Sequence, residues 1–132
     1  MRKTLAVALM TACPLVFAAS AGQAASCAGA RTQAEMTRCV GDDYKLADQT
    51  LNIVYDRLMK RLDRDDRTRL RDAQRAWLSF RDKHCAFVGA GSEGGSIQSM
   101  IVAGCLSEVT TSRAGQLAEQ LYCPEGDMSC VR

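Results

Sequence analysis

From Thr32 onward the apolar residues recur at steps of three and four, the period of helices that bury one face. The stretch "TQAE", 32–35, has the form of a capping box. In it the Thr32 hydroxyl serves one free helical amide while the Glu35 carboxylate reaches back to another. The helix it opens is expected from about Gln33 to about Leu62, with Leu51, Val54, Tyr55, Leu58 and Leu62 on its apolar stripe. "GDD" at 41–43 is a potential break or kink, because glycine and aspartate favour turns.

"DRDD", 63–66, reads as the next turn, with Asp65 or Asp66 capping a second helix. Leu70, Ala73, Trp77, Phe80 and Cys85 are expected on its inner face, with Gln74 and Arg81 near the stripe. This helix should end near Phe87, before the glycine-rich stretch "GAGSEGGS", 89–96. A third helix is expected to start at Ser96, a natural N-cap. Met100, Ile101, Cys105, Val109, Leu117 and Leu121 can face inward from it. No strand-like alternation of useful length occurs. The fold class implied is all-α, a small disulfide-bonded three-helix up-and-down bundle.

Ahead of the helices the pattern changes. Arg2 and Lys3 precede an uncharged apolar run interrupted by Pro14, and small residues crowd 19–26. This is the pattern of a secretory signal peptide over 1–24, with cleavage between 21 and 25. The expected domains are therefore this leader, a helical unit over 25–122 and a short tail over 123–132. The run is too short and broken for a membrane span. The location implied is the periplasm or outside the cell.

Export changes how the cysteines and charges are read. Cys13 lies in the leader, which leaves Cys27, Cys39, Cys85, Cys105, Cys123 and Cys130. An even set in a small exported chain is a disulfide framework. Lipidation at Cys27 would leave an odd set, so the unanchored form fits better. Six cysteines allow about 15 pairings. Sequential pairing, Cys27–Cys39, Cys85–Cys105 and Cys123–Cys130, fits the helical layout best. The whole chain carries +2, and removal of Arg2 and Lys3 leaves 15 basic against 15 acidic residues. A near-neutral mature chain gives no reason to expect a nucleic-acid partner.

Catalytic and metal chemistry find little support. His84 neighbours Cys85, but adjacent helical residues point about 100 degrees apart and Cys85 is expected to be oxidised. A solvent-facing His84 near a helix C-terminus is the ordinary reading. The cysteine spacings match no zinc pattern, no C-x-x-C is present and no phosphate-binding loop can be built. No metal, cofactor or enzymatic activity is therefore expected. The basic segment 57–75 reads as a solvated face with pairs such as Asp63–Arg67 and Asp65–Arg69, in preference to a polymer-binding patch. Trp77, Arg81 and Gln74 read as structural. The glycine-rich loop is either a simple connection or a protrusion that docks on a partner. In the second case Ser92, Glu93 and Ser96, with Lys83 and His84 at the base, are the candidate contacts.

Several blocks, in order, resemble the LprI family of exported bacterial proteins: "TQAEMTRC", "ADQTLNIVYDRL", "LRDAQRAWLSFRDKHC" and "CLSEVTTSRAGQL". The most specific runs are A-Q-x-x-W-x-x-x-R-D-x-x-C, Ala73 to Cys85, and C-L-x-x-x-T-x-x-R, Cys105 to Arg113. The resemblance implies a helical, disulfide-bonded envelope protein, and lysozyme as the partner that it inhibits. It transfers no inhibitory residues. The alternative is an envelope interaction module that binds a protein or polymer and inhibits nothing. The sequence leaves the oligomeric state open.

Overall fold

The computed structural model describes residues 27–131. The leader, its cleavage sites and Cys13 lie outside the described residues. Three helices follow one another: α1 (Gln33–Arg61), α2 (Arg64–Gly89) and α3 (Gln98–Leu121), with a 3-10 turn at Ala90–Ser92 before α3. Among the described residues no strand occurs. No helix among them is long and apolar enough to cross a membrane.

α1 opens on the expected capping box. The Thr32 hydroxyl accepts from the Glu35 amide at 3.2 Å, and the Glu35 carboxylate accepts from the Arg31 and Thr32 amides at 2.8 and 3.1 Å. These backbone donors hold the Glu35 carboxyl below its ordinary pKa. The helix runs unbroken through Gly41–Asp43 for 29 residues, about 44 Å. α2 is capped by Asp63, whose carboxylate accepts from the Asp66 amide at 2.8 Å. The expected caps Asp65 and Asp66 instead lie inside its first turn, where acidic groups suit the helix dipole.

α1 and α3 run parallel. Gln33 meets Ser96 at one end, Val40 packs by Gly104, and Arg61 donates to the Leu121 carbonyl at the other. α2 runs antiparallel between their ends and leans mainly on α3. The core is a short leucine ladder between α1 and α3: Leu51, Leu58, Leu62, Ala114, Leu117 and Leu121. Val54, Tyr55, Leu70 and Trp77 pack around it.

Two expected pairings are replaced. Arg67 donates to the Leu62 carbonyl at 2.7 Å, and Arg69 pairs with Asp66 at 2.7 Å. Phe80, expected on the inner face, is 56% exposed, and Ala73 is exposed too. The face α2 buries is Gln74, Trp77, Arg81, Cys85 and Gly89. Arg81 can take a core position because its charge is answered there. The N-cap of α3 is Ile97, one residue later than expected, and Ser96 does not cap it.

Candidate interaction surface

The inner face of α2 is held by paired polar groups. Arg81 is buried, donates through Nε to Asp82 at 2.9 Å and pairs with it again through a terminal nitrogen at 2.8 Å. Its other terminal nitrogen lies 3.5 Å from the Asp48 carboxylate, an ion-pair distance that lacks hydrogen-bond geometry. The guanidinium also sits over the Tyr44 and Trp77 rings, 5.7 and 5.3 Å from their centroids. Arg113, from α3, approaches the Trp77 ring at 5.9 Å and donates to Gln74 at 3.1 Å. Burial lowers the pKa of this guanidinium from its usual value.

The disulfides connect Cys27 to Cys39, Cys85 to Cys105 and Cys123 to Cys130. Cys85–Cys105 ties α2 to α3 at a Cα separation of 5.5 Å, with Cys85 fully buried. Cysteines 27 and 39 with Asp43, and cysteines 123 and 130 with Asp127, form the compact sulfur and carboxylate groups. Their sulfurs are oxidised, so they present no thiolate to a metal.

The glycine-rich connection is a wound turn, 3-10 over Ala90–Ser92 and exposed over residues 93–97. Gly89 packs so closely on α3 that a Cβ there would lie 2.5 Å from Val102 Cγ2. The Ser92 hydroxyl donates to the Gly89 carbonyl at 3.0 Å, and the Gly95 amide returns to the Ser92 carbonyl at 2.9 Å. Gly94 takes φ +74°, a conformation that favours glycine, and its amide donates to Gln98 Oε1 at 3.2 Å. The Ser96 hydroxyl donates to Gln33 Oε1 at 3.5 Å. Both candidate hydroxyls are thus engaged within the molecule, and Glu93 is the exposed charged side chain of the turn.

Lys83 and His84 are exposed on the flank of α2. His84 stacks on Phe80, with ring centroids 5.3 Å apart and an interplanar angle of 13°. Phe87, one turn on, is 79% exposed, and Val88 beside it is exposed as well. Phe80, His84 and Phe87 follow helical spacing and form an aromatic stripe off the buried face. The structure brings Lys83 and His84 together with Phe87, which the sequence reading did not single out. The available signal was Phe80–His84–Phe87 at steps of four and three, offset from the Gln74–Trp77–Arg81–Cys85 face.

The pattern of the lysozyme inhibitor LprI family matches residues 24–117. The chain belongs to the LprI family. A Rhizobium meliloti (strain 1021) relative, described as uncharacterized protein R02472, is 32% identical over 112 residues, covering 75% of this chain and 81% of its own length. No solved structure matches. The two LprI-like runs meet each other inside the fold: Cys85 bonds Cys105, Gln74 and Trp77 take Arg113, and Thr110 is enclosed in the same helical layer. The motif residues are thus the brace between α2 and α3. The exposed stripe and the turn lie outside that brace.

Proposed function

We propose that this protein is an exported lysozyme inhibitor that occludes the glycan cleft without covalent chemistry. The match to the lysozyme inhibitor LprI family over residues 24–117 carries this reading. Lysozymes cleave glycan with two carboxyl groups in an open cleft. The exposed flank of α2 has complementary chemistry: Lys83 and His84 can meet carboxylates, while Phe80 and Phe87 offer apolar area beside them. Glu93, at the turn just beyond, suits a basic cleft rim. Ser92 and Ser96 donate their hydroxyl protons within the molecule, so in this reading they support the turn and meet a partner only as acceptors.

The surface is well prepared for docking. Cys85–Cys105 and the internal hydrogen bonds of the turn fix its backbone in advance, which reduces the entropy lost on binding. Burying one phenylalanine contributes about 1.5–3 kcal/mol, enough for roughly a tenfold to hundredfold change in affinity.

The test is a titration of the oxidised exported protein against lysozymes of several structural classes, scored by clearing of peptidoglycan, with a reduced control. Inhibition of at least one class is expected. Phe87→Ser combined with Lys83→Glu should weaken it at least about tenfold, while Ser92→Ala, which removes one bond of the turn and no contact side chain, should weaken it less. Absence of inhibition by the unmodified protein would replace this reading with that of an envelope interaction module.

A further inference from the structure

A second surface lies away from α2. A groove of about 790 Å³ runs between α1 and α3, bounded by Val40, Ala47 and Val54 on one side and Gly104, Gly115 and Ala118 on the other. No α2 residue lines it. We propose that two copies of this chain dimerise about a two-fold axis through this groove.

Gly115 supplies the first argument. It sits in the middle of α3 without a positive φ, and a Cβ there would meet nothing within 4 Å among the described residues. The fold of one copy therefore makes no demand for glycine at a position where glycine weakens a helix. Close approach of another backbone does make that demand. The second argument is a ridge beside this floor. Leu46 and Ile53, two turns apart on α1, are 48% and 52% exposed. One molecule thus carries a ridge and a floor side by side, the self-complementary arrangement of an isologous interface.

Charge sets the register. Glu108 lines the α3 wall, and Arg57 projects from the C-terminal half of α1, exposed. Placing the axis near Thr50 brings Leu46 to the height of Val54 on the other copy, where Gly115 and Ala118 form the floor. The same axis brings Arg57 to the height of Asp43 and within a turn of Glu108, since Gly104 packs beside Val40. A second copy covers the apolar floor and gains the Arg57–Glu108 attraction, whereas an uncharged acyl chain gains nothing from these two exposed side chains. The dimer uses a different face from the aromatic stripe, so it does not depend on the lysozyme reading.

Sedimentation equilibrium of the oxidised exported protein tests this. A dimer is expected below about 100 micromolar, the weak end for specific interfaces. Leu46→Glu and Gly115→Leu, both at open positions, should each give monomers with unchanged helicity. Phe87→Ser should remain dimeric, and Thr50→Cys should form a cross-linked dimer on oxidation. The proposal is overturned if the protein is monomeric throughout that range. It is equally overturned if dimers survive both groove substitutions, if Phe87→Ser abolishes them, or if Thr50→Cys fails to cross-link.

Discussion

Thr110 gives the sharpest test of the packing. The residue is 0% exposed, and its hydroxyl has no hydrogen-bond partner among the described residues. A buried hydroxyl left unsatisfied costs about 1–3 kcal/mol, because water bonds are lost and not replaced. Thr110→Val keeps the branched shape and nearly the same helical preference while removing the polar atom. The variant should therefore be more stable by about 1–3 kcal/mol. In a domain of this size each kcal/mol raises Tm by roughly 4–8 °C. Thermal and urea unfolding of the oxidised protein, followed by circular dichroism, would measure it. The midpoint should rise with an unchanged urea slope. A loss of about 1 kcal/mol or more would refute the reasoning, since it would mean that the hydroxyl is satisfied in the folded state.

Three further outcomes follow from other parts of the fold. Replacing Cys85 and Cys105 together by alanine should cost about 3 kcal/mol in urea unfolding, by the chain-entropy account of a loop this long; an unchanged midpoint would show that packing alone holds α2 on α3. Gly89→Ala should destabilise by about 1–3 kcal/mol through overpacking, because its Cβ would collide with Val102, and Val102→Ala should rescue it. The Glu35 pKa is lowered in the folded state, so its stabilising contribution is present above the unfolded pKa and is lost as pH falls through the folded one. Exchange protection of the Arg31 and Thr32 amides, measured against their intrinsic rates, should therefore fall on acidification, and Glu35→Gln, which retains the capping geometry, should remove that pH dependence.

Much of the fold was legible because local chemistry and global packing agree. Thr32 and Glu35 announce α1, and Leu51, Leu58 and Leu62 fall on its buried side as their spacing requires. Gly41–Asp43 did not break the helix, since packing along α3 on both sides carries the backbone through. α2 was harder to read because it offers two stripes. Hydropathy favours Ala73, Trp77 and Phe80, but burial follows Gln74, Trp77, Arg81 and Cys85. Arg81 is admitted by carboxylates and aromatic rings that come together only in three dimensions. Once it turns inward, Phe80 and Phe87 turn outward.

The turn differs in one respect for a related reason. Ser96 has the residue type and place of a helix cap, yet its hydroxyl reaches across to Gln33, and the Ser92 hydroxyl folds back to Gly89. Neither partner is visible from composition alone. What the sequence did mark strongly, the two LprI-like runs, describes the joint between α2 and α3 and leaves the surface that meets a partner unspecified.

The most direct test of the proposed contact is hydrogen exchange on the oxidised protein, alone and with saturating amounts of a lysozyme that scores as inhibited in the titration proposed above. Slower exchange over residues 80–96, with the groove between α1 and α3 unaffected by the enzyme, is the expected result. Exchange that is unchanged over 80–96 while another surface becomes protected would contradict it.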